Sequence, residues 1–247
     1  MECRRPGGNS ATGRRIGWCR FMQAEAKDGW TQETNERAWE WGHSGISKPR
    51  GGRQAEWAIR MNPTVPGTLV ARNGTRLEVR PLTAGEIPAL ARFNAELSEA
   101  TRSVFLPHAY DEATLGRYVE RHRAGLDRIY VLACGGEIVG YFFLWEFDHA
   151  VPLLGVGLAD AWQGQGLGEP LLRLLIADAQ AAGRDGIELT TVTANARAFR
   201  LYERVGFACL GEVDNVAGDG RVVREYRMFL PLKPGAVPPA REFKPPV

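Results

Sequence analysis

Apolar and polar residues alternate regularly from about residue 76 onwards, and the pattern predicts a sheet interleaved with helices. The run from Leu77 to Leu82 alternates with the period of a strand. Two amphipathic helices are predicted next, one over Ala84 to Ser98 and one from its cap at Asp111 to about Arg123. The segment between them, Ser98 to Tyr110, is predicted to be a loop.

Further strands and helices are predicted in the second half of this region. Arg128 to Cys134 and Glu137 to Phe147 flank a Gly-Gly pair and predict a β-hairpin. A short apolar strand, Val151 to Ala159, precedes a helix over about Glu169 to Ala182. The remaining predicted elements are a strand over Gly186 to Thr193, a helix over Ala196 to Phe207, and closing strands over Ala208 to Glu212 and Val222 to Leu230.

The two ends of the chain differ in composition from the region between them. Residues 1–60 are rich in Gly, Arg and Trp and poor in Leu, Ile and Val, so they offer little apolar surface to bury. We predict a disordered or artefactual leader before a start at Met61. The alternatives are a genuine disordered tail and a basic, aromatic nucleic-acid-binding arm. Residues 232–247 form a Pro-rich tail that is predicted to be unstructured.

The loop before the predicted helix of Glu169 carries the clearest chemical pattern. Glycines occupy alternate positions there, at Gly164, Gly166 and Gly168. Glycines allow the backbone to close around an anion, and the first amides of a helix have no partner within the helix. The positive end of the helix dipole adds to this preference. We therefore predict that Gly164 to Glu169 binds a pyrophosphate through backbone N–H groups.

The spacing of this loop excludes two common phosphate motifs. A P-loop needs Lys followed by Ser or Thr after its last glycine, and here Glu169-Pro170 follows. A dinucleotide fingerprint needs the spacing G-x-G-x-x-G, which is also absent. The arrangement Gln163-x-x-Gly166-x-Gly168 instead resembles the acetyl-CoA pyrophosphate motif, Q/R-x-x-G-x-G/A, of the GNAT N-acetyltransferase superfamily.

A second motif strengthens this resemblance. The segment from Asn195 to Phe207 is similar to the GNAT pattern N-x-x-A-x-x-L-Y-x-x-x-G-F and follows the first motif in the expected order. The resemblance covers residues 76–231. It implies the α/β (α+β) GNAT fold, in which helices flank a mixed, mostly antiparallel central sheet. It also implies an acetyl-CoA-dependent N-acetyltransferase that uses no metal.

The resemblance further implies roles for residues around the loop. The strand before the loop would bind the pantetheine arm through its backbone, and the Leu158 N–H would polarise the thioester carbonyl. Gly155 and Gly157 would ease a bulge in that strand. Asn195 would lie near the pantetheine amides, and it is equally expected to cap its helix. The implied cofactor-binding residues are Val156, Gly157, Leu158, Gln163, Gly164, Gln165, Gly166, Leu167, Gly168, Glu169 and Asn195.

Tyr202 is the predicted general acid. It follows Asn195 by two helical turns, so both side chains face one side of the helix. A phenol with a reference pKa of ~10 is protonated at neutral pH, and a CoA thiolate resembles a cysteine thiolate with a pKa of ~8.5. Proton transfer is slightly uphill on these values, so hydrogen bonding to the thiolate contributes as well. The alternative is that Tyr202 is a core residue of its helix.

The general base is less well defined by the sequence. Some GNAT enzymes carry a glutamate on one of two strands, but Thr190 and Thr191 occupy the first position, and Val151 to Ala159 contains no acid. His108 and Tyr110 are candidates for lining the acceptor pocket, and an exposed loop position is the favoured alternative for His108. The candidate bases, acting through water, are Glu146, which is preferred, Asp148 and Glu188; each is otherwise a solvated surface charge.

Composition and charge narrow the function class. A net charge of +2 in 247 residues argues against a dedicated nucleic-acid binder. No apolar run approaches the ~20 residues that span a bilayer, and no secretory signal is expected. We therefore expect a cytoplasmic enzyme, with a homodimer allowed, that acts on an amine-bearing small molecule or on the N-terminus or a lysine of a protein. The alternatives are a non-catalytic acyl-CoA-binding module and a transferase of another acyl group.

Overall fold

The computed structural model describes residues 67–247, and one sheet of eight strands runs through this part of the chain. The strands are β1 Gly67–Val70, β2 Arg76–Pro81, β3 Arg128–Cys134, β4 Glu137–Trp145, β5 Leu153–Leu158, β6 Gly186–Val192, β7 Ala208–Val216 and β8 Val222–Pro231. Their order in the sheet is β1-β2-β3-β4-β5-β6-β8-β7. Neighbouring strands are antiparallel except β5 and β6, which are parallel. The predicted mixed, mostly antiparallel sheet is therefore confirmed, whereas the predicted leader over residues 1–60 lies outside the described residues.

Local capping sets the ends of several helices. The Asp111 carboxylate accepts a hydrogen bond from the Thr114 N–H at 2.9 Å, as expected for the predicted cap. The Asn195 side chain does the same for the Ala198 N–H at 3.2 Å. Gly206, with φ +109°, ends the last helix in the left-handed conformation. The helices are α1 Ile87–Glu96, α2 Glu99–Arg102, α3 Glu112–Arg123, α4 Gly168–Ala181 and α5 Ala196–Val205.

Two short elements differ from the sequence prediction. β1 precedes the predicted first strand and pairs with it, from Gly67 opposite Val79 to Val70 opposite Arg76. It has four residues, too few for an alternating pattern to be recognised. The helix α2 lies in the segment predicted to be a loop, and the Ser98 hydroxyl caps it by accepting a hydrogen bond from the Thr101 N–H at 3.2 Å.

Each face of the sheet has its own hydrophobic core. The helices α4 and α5 cover one face, and α1 and α3 cover the other. Neighbouring residues of one strand alternate between the two cores, as Phe142 and Phe143 do. Burying one such side chain contributes about 1.5–3 kcal/mol of transfer free energy. Both layers therefore hold the central strands in place. None of the helices in residues 67–247 is long and apolar enough to cross a membrane.

The sheet opens between β5 and β6. These parallel strands share a single register pair, Leu153 with Glu188. Towards their carboxyl ends the strands part, and the residues Val156–Leu158 and Thr190–Val192 line a common cleft. Backbone groups on the facing edges are thus left without a strand partner.

The C-terminal segment differs from the prediction of an unstructured tail. It has little regular structure, yet Phe243 is buried, and its carbonyl accepts a hydrogen bond from the Val216 N–H at 2.9 Å. Arg241 lies 3.1 Å from the fully buried carboxylate of Glu188 and 3.0 Å from that of Glu146. Phe243 and Arg241 thus contribute contacts that anchor this Pro-rich segment on the sheet.

Candidate active site

The opening between β5 and β6 forms a cleft of about 610 Å³. It is bordered by the glycine loop and the first turn of α4, by α5, by the segment around α2, and by the hairpin β7–β8. Val156, Gly157 and Leu158 of β5 line it, together with Asn195 and Tyr202 of α5. Most of the residues predicted to bind the cofactor are therefore gathered around one cavity.

The glycine loop has the backbone conformation that its sequence predicts. Gly164 and Gly166 have φ of +78° and +79°, in the left-handed region that favours glycine. Gly168 begins α4, and a Cβ at this position would lie 2.8 Å from the Leu201 side chain of α5. The loop therefore brings the unpaired first amides of α4 to the cleft. Such an arrangement suits an anionic group.

Gln163 is engaged within the protein. Its side-chain amide donates to the Leu158 carbonyl at 3.2 Å and to the Thr101 hydroxyl at 3.0 Å. Asp160 also binds this region, because its carboxylate accepts hydrogen bonds from Ser98 and Thr101 at 2.6 Å. The motif glutamine thus connects the end of β5 to the start of the loop and to α2, which fixes the position of the loop.

Arg72 is a cleft residue that the sequence reasoning missed. It lies in the turn between β1 and β2, and its backbone N–H donates to the Gln165 carbonyl at 2.9 Å. Its guanidinium donates to the Gly164 carbonyl at 3.3 Å and is exposed. A second guanidinium, that of Arg197, lies 3.4 Å from where a Cβ of Gly164 would stand. The one sequence feature that could have predicted this positive charge is Arg72 itself, which lies just before the predicted start of the domain.

The glycines of β5 accommodate aromatic rings. A Cβ at Gly155 would lie 2.2 Å from the Phe143 ring, and one at Gly157 would lie 2.2 Å from the Phe105 ring. The pairing of β4 with β5 is continuous over the whole of β5. The expectation that these glycines ease a bulge is therefore wrong; they provide space for the two rings.

Tyr202 combines burial with access to the cleft. The residue is 6% exposed, and its phenol hydroxyl makes no hydrogen bond to another side chain or to the backbone in the described part of the chain. Burial raises the pKa of its phenol, and the charge of Glu225 raises it further. The phenol is therefore protonated at neutral pH and retains a hydrogen to donate.

The predicted candidate bases lie elsewhere. Glu146 is absent from the cleft lining and is paired with Arg241 and, at 3.6 Å, with His149. Glu188 is fully buried and paired with Arg227 and Arg241, and Asp148 is exposed. Among the described residues that line the cleft, the carboxylates are instead those of Glu169 and Glu225.

His108 is buried, in contrast to the favoured expectation of an exposed loop histidine. Its Nε2 is 2.9 Å from the Tyr141 hydroxyl, and burial lowers the pKa of the imidazole to about 4. The neighbouring Leu106 and Pro107 line the cleft, whereas His108 and Tyr110 are absent from its lining. His108 therefore supports the wall from behind. No cluster of potential metal ligands occurs within residues 67–247.

Comparison with known proteins identifies the family. Residues 90–207 match the family model of the acetyltransferase (GNAT) family. This part of the chain is a GNAT acetyltransferase domain. The fold of a putative acetyltransferase from Salmonella typhimurium, determined with its cofactor acetyl-CoA, is similar: the TM-score is 0.54 at 21% identity, over 67% of this chain and 99% of the other.

Two curated relatives match shorter segments. A mycothiol acetyltransferase of Corynebacterium glutamicum is 40% identical over 76 residues, which are 30% of this chain and 25% of the relative. A GCN5-like protein acetyltransferase of Mycobacterium tuberculosis is 35% identical over 113 residues, 44% of this chain and 48% of the relative. The chain thus spans at most about half the length of these relatives.

Proposed function

We propose that this chain is an acetyl-CoA-dependent N-acetyltransferase that moves an acetyl group from the thioester to a primary amine by direct attack. The observation that carries the proposal is the opening of the sheet between β5 and β6, with the glycine loop at its border and Tyr202 in its lining. Family membership supports acetyl-CoA as the acyl donor.

The part of the cleft formed by β5, the glycine loop and α5, here termed the cofactor half, would bind acetyl-CoA. The residues from Gly164 to Glu169 would hold the pyrophosphate through backbone N–H groups, and Arg72 would add a positive charge. The free edge of β5 at Val156–Leu158 would pair with the amides of the pantetheine arm. The Leu158 N–H remains the predicted donor to the thioester carbonyl.

Tyr202 would act on the leaving group. When the amine nitrogen attacks, the new C–N bond forms and the C–S bond breaks, which leaves a thiolate. A cysteine-like thiol has a pKa of ~8.5, whereas the pKa of the Tyr202 phenol lies well above its ordinary value. Full proton transfer is therefore more strongly uphill than the sequence alone predicts. Tyr202 would stabilise the thiolate chiefly by donating a hydrogen bond.

A ligand and acceptor screen tests this function. The full-length protein is melted with acetyl-CoA, CoA and acetyl-pantetheine, which lacks the pyrophosphate. Thiol release is then followed with a peptide α-amine, a lysine side chain, a polyamine and an amino sugar. We expect a melting shift with the two CoA compounds, a smaller one with acetyl-pantetheine, and thiol release with one class of amine.

The other outcomes separate the alternatives. A shift without thiol release from any amine would favour a non-catalytic acyl-CoA-binding module. Release with propionyl-CoA but not with acetyl-CoA would indicate a transferase of another acyl group. A folded protein that shows no shift with CoA would overturn the assignment of the glycine loop to the pyrophosphate.

A further inference from the structure

Two carboxylates occur among the described residues that line the cleft, and they lie in different surroundings. Glu169 is in the first turn of α4, beside the glycine loop, and its carboxylate is 2.8 Å from the Arg173 guanidinium. Glu225 is on β8, opposite Val192 of β6. It therefore stands beside the carboxyl end of β6, where the sheet opens.

The Glu225 carboxylate is held by a single neighbour. The Asn215 side-chain amide donates to Glu225 Oε2 at 2.9 Å and to the Thr190 hydroxyl at 3.1 Å. Both hydrogens of this amide are thereby used, which fixes its orientation. No residue in the described part of the chain donates a hydrogen bond to Glu225 Oε1. One oxygen is anchored, and the other is left for a ligand.

None of the described cationic residues that line the cleft forms an ion pair with Glu225, including Arg197, Arg200 and Arg204 of α5. Arg221 and Lys244 also line the cleft, but each is ion-paired with an acidic neighbour, at 2.6 and 2.8 Å. The Arg102 guanidinium donates to two backbone carbonyls. Glu225 itself has no ion-pair partner within residues 67–247. A carboxylate in this position attracts a cation.

Apolar residues in the cleft lining increase this preference. Phe105, Leu106, Pro107 and Trp145 present apolar surface to the cleft. Apolar walls lower the local dielectric, so an opposite charge close to the carboxylate is stabilised more than in water. An amine acceptor is an ammonium ion at neutral pH, because a lysine-like amine has a pKa of ~10.4 and an α-amine one of ~8.

We propose that Glu225 receives the ammonium group of the acceptor amine and removes its proton, with Asn215 as the positioning residue. This proposal rests on the proposed function, and it identifies Glu225 as the general base of that acetyl transfer. One ammonium proton passes to Glu225, directly or through water, before the nitrogen attacks the thioester. After the C–S bond breaks, the amide nitrogen loses its second proton, the thiolate becomes a thiol, and one proton is released to solvent.

The Glu225→Gln variant tests this role, with Glu212→Gln as the matched control. Glu212 is an exposed carboxylate on β7 that pairs with Arg224 and does not line the cleft. With an amine that is cationic at the assay pH, we expect kcat/KM to fall at least 100-fold in Glu225→Gln and less than twofold in the control. With an amine that is largely unprotonated at that pH, we expect a loss below tenfold. The melting shift with CoA should be unchanged in both.

The pH profile distinguishes a base from a structural residue. Wild-type kcat/KM for the cationic amine should be flat up to the pKa of the amine. In Glu225→Gln it should rise about tenfold per pH unit, because this variant reacts only with amine that is already neutral. Asn215→Ala should lower kcat/KM about tenfold while retaining the flat profile. If Glu225→Gln fails to fold, Glu225→Asp should retain partial activity with the flat profile.

The outcomes separate this inference from the proposed function. If Glu225→Gln turns over the cationic amine as fast as the wild-type protein does, the role of Glu225 is overturned. The proposal that the protein is an acetyltransferase would then be unaffected. Equal losses for the cationic and the neutral amine would overturn the role of Glu225 as well, since they indicate a structural effect. CoA binding without turnover by the wild-type protein would overturn the proposed function, and the role of Glu225 with it.

Discussion

Apart from α5, the cofactor half of the cleft is continuous in the sequence, whereas the opposite wall is assembled from distant segments. The stretch from β5 through the glycine loop to the first turn of α4 spans Leu153 to Glu169. The opposite wall, here termed the acceptor half, combines residues 102–107, the β7–β8 hairpin and residues 244–245. The first half presents mainly backbone groups, and the second presents side chains.

This difference indicates which half binds a common cofactor and which half selects a particular acceptor. A pyrophosphate and a chain of amides can be bound by backbone groups, which any sequence with suitably placed glycines supplies. Recognition of one amine among many depends on side chains such as Glu225 and Phe105. We expect changes in β5 and the glycine loop to alter CoA affinity, and changes in the acceptor half to alter acceptor use alone.

Tyr202→Phe should have the largest effect. Removing the hydroxyl removes the hydrogen bond to the thiolate, so kcat should fall on the order of 100-fold or more. The ring still fills its place in the core, and the melting shift with CoA should persist. Steady-state kinetics and melting on the same preparation check both statements. A variant with full turnover would remove Tyr202 from the mechanism.

Lowering the pH should destabilise the folded protein through protonation of His108, which packs behind the acceptor half. The unfolded chain binds a proton at this histidine below pH ~6.5, whereas the folded protein does so only near pH 4. The free energy of unfolding should therefore decrease as the pH falls from 6.5 to 4, by about 3 kcal/mol at most. Denaturant titration at several pH values measures this decrease.

The His108→Gln variant is the comparison for that experiment, because glutamine does not titrate. Carboxylates also contribute to acid destabilisation, so the difference between the two slopes is the relevant quantity. We expect the variant to have the shallower slope between pH 6.5 and 4. Parallel slopes would show that His108 becomes protonated in the folded protein.

Gly166→Ala should weaken CoA binding about tenfold, with little change in the KM of the acceptor. A left-handed φ of +79° strains any residue with a Cβ, and relaxation of this strain would displace the amides that face the phosphates. Gly183→Ala is the matched control, since Gly183 has φ +70° in open space at the far end of α4. Calorimetric titration with CoA should show the loss in the first variant alone.

Arg72→Gln should have the smallest effect, a loss of about threefold in CoA affinity, as is usual for an exposed charge. The dependence of affinity on salt should become weaker as well. Arg76→Gln, which removes an exposed arginine from the same hairpin, is the control. Identical behaviour of the two variants would exclude a specific role for Arg72.

The contrast between the halves also explains how far the sequence could be interpreted. The strand, loop and helix of the cofactor half follow one another, so local periodicity and glycine spacing predicted them. Asn195 and Tyr202 were predicted from one helix with a recognisable pattern. Each of these features is determined by residues that are close together in the sequence. The predicted bounds of the helices and strands in these segments agree with the structure to within a few residues.

The acceptor half could not be predicted in this way. Glu225 lies within the strand β8, and no motif in the neighbouring sequence distinguishes it from other strand residues. It lines the cleft because β8 pairs with β6 and not with β5. Glu146 was the preferred candidate base in the sequence, but Arg241, which is distant in the sequence, pairs with it. His108 is buried because aromatic rings from α3 and β4 surround it. All three outcomes depend on contacts between segments far apart in sequence.

The ring of Phe105 occupies the volume that a side chain at Gly157 would fill. Phe105 belongs to the acceptor half and Gly157 to the cofactor half, so one volume is shared between the two. Trimming the ring to enlarge the amine pocket would also open space above β5. Enlarging residue 157 would push the ring into the pocket. A redesign of amine specificity must therefore treat positions 105 and 157 as a pair, although the chemistry assigns them to different ligands.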